Sequence, residues 1–296
     1  MKTLKIKNTD IVVPKGPSGV YETAPELPKA HGIFVAVARR KGGKSVAVSN
    51  LARMMDFDRV FLISPTATSN KAILEPLGIG PEDVFEDLED KNIINNVIEK
   101  INQERDDYEA YLEQIKEYKK FLKMLNEPTT MIPDEMLLQF YQGGMFQPPK
   151  HKWGGRKPKM ALIVDDAQNS KVFSGKMLPN LCIKHRHYGQ LKEGNALGLS
   201  VFIMAQNYKC VSGGLPKPVR GNATGWMLFK NFNDTEKKFV AEELAIDNIH
   251  KDDFISMWDD CCDSAPHTFL YVDMDKKAHH QSAFRKNFNE FILPPK

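Results

Sequence analysis

The feature that most limits how this chain can fold is a run of apolar residues, Phe34-Val-Ala-Val-Ala38, that passes directly into Arg39-Arg-Lys-Gly-Gly-Lys-Ser45. A buried strand opening into a Gly-Gly-Lys-Ser loop needs a helix behind it and parallel neighbours beside it, because both faces of such a strand must be covered. The helix is predicted from Lys44 to Met55. Gly42 and Gly43 let backbone N–H groups approach phosphate oxygens, Lys44 can reach the β- and γ-phosphates, and the Ser45 hydroxyl can hold Mg²⁺. The residues expected to contact nucleotide are Arg40, Lys41, Gly42, Gly43, Lys44, Ser45 and Val46. The loop departs from G-x-x-x-x-G-K-[ST] at one place, where Ala38 stands for the first glycine.

At 296 residues the chain can hold one large α/β domain. No apolar run approaches the ~20 residues of a membrane span and no signal-peptide core opens the sequence, so the expectation is a protein that stays inside a cell or particle. The net charge of +3 is too small to argue nucleic-acid binding by itself. Cys182, Cys210, Cys261 and Cys262 show no C-x-x-C spacing and read as reduced, structural thiols. His185, His187, His279 and His280 lack ligand-spaced partners and read as hydrogen-bonding residues rather than a metal set.

Residues 1–30 mix a short alternating stretch with prolines and read as an arm or edge strand; 31–296 read as the main domain. A second apolar strand, Arg59–Ser64, follows the loop helix at the spacing of a β-α-β unit. From about Asp90 to Glu127, Ile94, Ile98, Ile101, Tyr108, Leu112, Ile115 and Leu122 recur in three- and four-residue steps, which predicts a long amphipathic helix within an insertion over about 90–145. A basic Gly/Pro-rich segment over 142–159 is a candidate for contact with a phosphodiester backbone.

A second motif, Met160-Ala-Leu-Ile-Val-Asp165-Asp166, is an apolar strand ending in two carboxylates. Asp165 at the strand end is placed to hold Mg²⁺ with Ser45, and Asp166 to orient or deprotonate an attacking water. A third apolar strand, Leu199–Ala205, ends in Gln206 and can lie between the two motif strands, aiming its amide at the γ-phosphate or the water. Arg186 and Arg220 are loop cations, either of which could reach a neighbouring subunit's nucleotide, with Arg220 set ahead of Arg186; either could instead hold a loop by bonding carbonyls.

The ordered set Arg40-Lys-Gly-Gly-Lys-Ser45, Phe61-Leu-Ile-Ser-Pro-Thr66, Ile163-Val-Asp-Asp166, Arg186-His187, Ser200-Val-Phe-Ile-Met-Ala-Gln206, Arg220-x-Asn222, Phe269-Leu-Tyr-Val-Asp273 and Phe284-Arg-Lys-Asn-Phe288 resembles the genome-packaging ATPases of large DNA viruses, poxviruses and virophages, within the FtsK/HerA superfamily. The resemblance runs over roughly residues 30–292 and lies in motif order. It implies an α/β P-loop NTPase of the additional-strand, RecA-like type, with a mainly parallel sheet flanked by helices. It also implies ATP and Mg²⁺ as cofactors, a homo-oligomeric ring such as a hexamer, double-stranded DNA bound without sequence preference, and a capsid or portal-like vertex as partner. The implied place is the host cytoplasm, a viral factory or the virion. Asp166 stands where many of these relatives carry Glu. Other readings stay open: a HerA- or conjugation-type DNA pump, a terminase-like ATPase, or an assembly protein that binds ATP and hydrolyses little. A full terminase would add a nuclease domain, and none is expected here.

Overall fold

In a computed structural model, described over residues 22–67, 70–126, 133–142, 147–209, 214–230, 233–246 and 249–294, the chain forms one nine-stranded sheet in the order β3-β2-β4-β5-β1-β6-β7-β8-β9. The strands are β1 (Ile33–Val37), β2 (Arg59–Ile63), β3 (Val84–Phe85), β4 (Met160–Val164), β5 (Ser200–Ala205), β6 (Gly225–Phe229), β7 (Phe269–Asp273), β8 (Phe284–Lys286) and β9 (Glu290–Ile292). From β3 to β6 all pairings are parallel, and from β6 to β9 they are antiparallel. The third apolar strand therefore does lie between the two motif strands: β5 pairs with β1 on one side, Val35 opposite Ile203, and with β4 on the other, Ile163 opposite Phe202. A strand inserted between the two motif strands is the arrangement that the resemblance in motif order implies.

The helices are α1 (Lys44–Met55), α2 (Lys71–Leu77), α3 (Ile93–Asn126), α4 (Asp134–Gln142), α5 (Lys171–Ser174), α6 (Met177–Lys184), α7 (Lys217–Asn222), α8 (Asp234–Leu244) and α9 (Lys251–Asp263). Strand alternation divides the core in two. Ile33, Val35, Val37, Leu162, Ile203, Trp226 and Leu228 face a layer built with α3, α6, α8 and α9. Phe34, Ala36, Ala38, Ile163, Phe202 and Met227 face α1 and α2. Covering both faces explains why the central strands read as unbroken apolar runs instead of alternating ones.

The long helix predicted over 90–127 is α3. Ile94, Ile101 and Tyr108 are buried as the spacing requires, whereas Leu122 is exposed and Phe121 takes the inward position. The same helix buries a carboxylate: Glu104 accepts from Arg59 Nη1 at 2.6 Å, Lys152 Nζ at 2.6 Å and Trp153 Nε1 at 2.8 Å. Burial pushes the Glu104 carboxyl up, but these three donors outweigh it and hold it below its ordinary value. The node fastens α3 and the start of β2 to the basic segment.

That segment, where described from 147 to 159, is consequently held down. Arg156 pairs with Asp58, Lys159 with Asp56, and the His151 ring packs on Tyr108 and Tyr111. Three of the cations that suggested phosphodiester contact, Lys152, Arg156 and Lys159, are thus engaged with acids of the same chain. Residues 143–146 lie outside the described residues, as do 1–21 of the N-terminal arm and Cys210. The described remainder of the arm runs against the antiparallel strands: Pro25 O accepts from His280 at 2.7 Å, Glu26 O from Arg285 at 2.5 Å and Ala24 O from Lys277 at 2.7 Å. His185 is buried, with its ring nitrogens 2.7 Å from Cys182 O and 2.8 Å from His31 O. Cys182, Cys261 and Cys262 are buried free thiols. Among the described residues no helix is long and apolar enough to cross a membrane.

A candidate phosphate-binding site at the carboxyl ends of β1, β4 and β5

Parallel strands place their carboxyl ends on one side of a sheet, and there β1, β4 and β5 open on a cleft of about 860 Å³. Every residue expected to contact nucleotide, Arg40 through Val46, lines it, together with Asp165, Asp166 and Gln206. The sequence signal was local for each group; what unites them is the strand order.

The loop owes its shape to two left-handed residues, Lys41 at φ 62° and Gly43 at φ 101°. The second is affordable because glycine carries no side chain. Gly43 then caps α1, whose first turn begins at Lys44, so the free N–H groups and positive end of that helix meet the cleft. Lys44 Nζ donates to Ala38 O at 2.7 Å and to Arg39 O at 3.3 Å, tying the two arms of the loop together.

Ala38, the departure from the glycine pattern, sits in extended continuity with β1. Its N–H donates to Ala205 O at 3.1 Å, it is 1% exposed, and it is not among the positive-φ residues. No glycine is required there. Its methyl group instead makes a demand on the next loop residue: a Cβ on Gly42 would lie 2.6 Å from Ala38 Cβ.

Asp165 continues β4, its N–H donating to Ile63 O at 2.9 Å, and its Oδ2 accepts from Asn70 Nδ2 at 3.0 Å. Burial, then the neighbouring Asp166 charge, raise the Asp165 carboxyl above its ordinary value, against Lys44 and Asn70, which lower it. Burial likewise lowers Lys44, opposed by the charges of Asp165 and Asp166. Asp166 turns out of the strand at φ 49° and accepts from Gln206 Nε2 at 2.9 Å. Gln206 is itself fixed, since its N–H donates to Gln168 Oε1. A hydroxyl (Ser45) and a carboxylate (Asp165) lining one cleft are the hard oxygen donors that suit Mg²⁺, and the repulsion between the Asp165 and Asp166 charges is what a cation would relieve.

The two arginines are placed elsewhere. Arg220 lies in α7 with its guanidinium donating to Glu243 Oε2 at 3.0 Å, Glu243 Oε1 at 3.3 Å and Leu215 O at 2.6 Å, over the Tyr208 ring. Its side chain is 10% exposed. Within its own subunit Arg220 makes bonds of the loop-holding kind. Arg186 is exposed, on the rim of a second cleft at the opposite end of the sheet with Lys29, His31, Lys277 and His279. Burial lowers the His31 imidazole there to about 4.

Sequence reasoning missed Asn50, Asn70, Gln168, His267, Asn287 and Phe288. Asn70 and Gln168 fasten motif residues, and the other four line the cleft. Asn287 and Phe288 close the Phe284–Phe288 motif, which carried no role by itself; the others have no local signature and reach the site from separate parts of the chain.

No protein-family model and no curated protein matches the chain. Among solved structures it is similar to the DNA-packaging ATPase B204 from Sulfolobus Turreted Icosahedral Virus (TM-score 0.45, 12% identity, covering 83% of this chain and 94% of that one). The genome packaging NTPase B204 from Sulfolobus turreted icosahedral virus 2 in complex with sulfate gives TM-score 0.45 and 12% identity over 89% and 98%. EssC (ATPases 2 and 3) from Geobacillus thermodenitrificans gives TM-score 0.43 and 14% identity over 87% and 39%.

Proposed function

We propose that the chain is an ATP-hydrolysing motor subunit that moves double-stranded DNA, in the manner of a viral genome-packaging ATPase. One observation carries the reading of hydrolysis: with β5 inserted between β4 and β1, the amide of Gln206 and the carboxylate of Asp166 are hydrogen-bonded to each other in the cleft that the phosphate loop lines. A carboxylate and an amide so paired suit the positioning of water for attack on a terminal phosphate.

In this reading Lys44 and the loop N–H groups hold the triphosphate, assisted by Arg40 and Lys41. Ser45 and Asp165 would hold Mg²⁺, which would offset the charge of the phosphates. Asp166 accepts the proton of the attacking water while Gln206 fixes its direction. A cation from an adjacent subunit completes the pocket; Arg186, exposed on its own subunit, suits that role better than Arg220, whose donors are occupied. Hydrolysis then alters subunit contacts in a ring, and DNA-facing cations shift with them.

The cargo is supported by the motif order shared with packaging ATPases. Cations that grip phosphate rather than base edges bind without regard to sequence and weaken steeply with salt. The test is ATP hydrolysis by the purified chain with and without double-stranded DNA. Stimulation by DNA that disappears in Lys44→Ala and Asp166→Asn supports the motor; nucleotide binding with no hydrolysis in the presence of DNA and capsid would sink it.

A further inference from the structure

The cleft does not end at the phosphate loop. Beside Gly43 it continues along the corner where β7 begins and β8 ends, lined there by His267, Phe269, Asn287 and Phe288. The corner abuts the loop itself: a Cβ on Gly43 would lie 3.2 Å from His267 Cβ. These residues belong to the antiparallel end of the sheet and play no part in the water-positioning chemistry.

The corner is a formed surface. Phe288 stands edge-on to Phe269 and Tyr271, with ring centroids 5.0 and 5.5 Å apart, and those two buried rings support it from behind. Asn287 is held by two bonds to one residue, its N–H donating to Phe269 O at 2.9 Å and its Oδ1 accepting from Phe269 N–H at 3.3 Å. Both His267 (φ 64°) and Asn287 (φ 51°) adopt left-handed backbone, which fixes the two turns at the corner. Phe288 is half-buried and His267 exposed, so aromatic surface remains for a planar ligand.

We propose that this corner seats the nucleobase of a purine nucleoside triphosphate, stacked on Phe288 and flanked by His267, and that it does not distinguish adenine from guanine. The proposal rests on the reading of the loop as a triphosphate site. The lack of discrimination follows from Asn287. Its carboxamide oxygen already accepts from Phe269 N–H, its NH₂ is the donor it offers, and both purines present ring nitrogens that accept. Aromatic stacking is indifferent to base identity as well, since every base has a π-face.

The experiment is calorimetric titration of the full chain with ATP, with GTP and with inorganic tripolyphosphate, each with Mg²⁺. The expected results are ATP and GTP affinities within about fivefold of each other, and tripolyphosphate binding at least tenfold weaker. Phe288→Leu, which keeps apolar bulk against Phe269, should weaken ATP and GTP together by about tenfold and leave tripolyphosphate unchanged. The exposed His267→Ala should act in the same sense with an unaltered melting temperature. Tripolyphosphate binding as tightly as ATP, or ATP affinity unaffected by both variants, would overturn the base seat while leaving the phosphate site standing. A preference of ATP over GTP beyond about fiftyfold would overturn its tolerance. If the chain bound neither ATP nor tripolyphosphate, the phosphate-site reading would fail and the base seat with it.

Discussion

Gln206 Nε2 donates to Asp166 Oδ1 at 2.9 Å, joining the ends of two adjacent parallel strands through their side chains. The bond fixes which way the amide points, because only its NH₂ end can face a carboxylate. Gln206 Oε1 is thereby turned away from Asp166.

Asp166→Asn sets an amide against an amide and removes the proton acceptor. We expect a fall in kcat of about 10²–10³, in the range of a lost general base, with the ATP dissociation constant changed by no more than about threefold. Gln206→Leu should also act on kcat more than on affinity. Single-turnover hydrolysis beside equilibrium binding separates the two effects; a variant that loses binding and turnover equally would speak against this division of labour.

Restoring the missing loop glycine should not improve the site. Ala38 keeps ordinary backbone geometry and buries its methyl group, so Ala38→Gly is expected to cost about 0.5–1 kcal/mol of stability and to leave ATP affinity within about twofold. Gly42→Ala should weaken nucleotide binding, because its new Cβ meets that of Ala38 at 2.6 Å. The double variant Ala38→Gly/Gly42→Ala should recover part of the loss. Denaturant titrations and nucleotide binding on the three proteins check this; absence of any recovery would mean that the Arg39 carbonyl, 3.0 Å from the same Cβ, sets the limit.

The two arginines should separate by the kind of damage they cause. Arg220→Ala leaves Leu215 O without its donor and Glu243 with the Tyr208 hydroxyl alone, and is expected to destabilise the chain by about 1–3 kcal/mol. Arg186→Ala should leave the melting temperature unchanged but depress DNA-stimulated hydrolysis. Adding Arg186→Ala subunits that retain a working phosphate loop to wild-type subunits should lower activity more than dilution does. A purely proportional loss would remove Arg186 from the trans role.

Acid should unfasten α3. The Glu104 carboxyl is held below its ordinary 4.5, so the unfolded chain takes up that proton first. Its contribution is complete above about 4.5 and disappears as the pH falls through the lower folded value. Glu104→Gln should cost about 2–3 kcal/mol at neutral pH, less than a fully buried pair, since Lys152 is 45% exposed and Arg59 keeps Asp83. The gap between wild type and variant should narrow as the pH is lowered below 4.5. Urea unfolding at pH 7 and in mild acid measures both; a gap that widened in acid would reverse the sign.

What could be read from sequence was whatever lies within a few residues of itself. Lys44, Ser45, Asp165, Asp166 and Gln206 each end or follow an apolar run, so their strands and their place at a strand end were visible together. Glu104 was not, because a glutamate on an amphipathic helix reads as solvated until Arg59, Lys152 and Trp153 arrive from 45 to 49 residues away. Arg220 looked available for the same reason: its partner Glu243 is 23 residues further on. Asn70 and His267 have no local pattern at all, and Asn287 and Phe288 stood in a motif that gave no hint of the loop they meet. Only the folding of three separate connections over one end of the sheet brings them to the phosphate loop.

The position of β5 has a metric consequence. Neighbouring strands stand about 4.8 Å apart, so the loop on β1 and the carboxylates on β4 are held roughly 9–10 Å from each other by two ladders of backbone hydrogen bonds. That gauge is indifferent to side chains. Substitutions around the cleft can change what lines it, but the width between the loop on β1 and the carboxylates on β4 is written in the main chain. A one-residue slip of β5 would turn Gln206 to the opposite face of the sheet, which makes this central strand the element least free to drift.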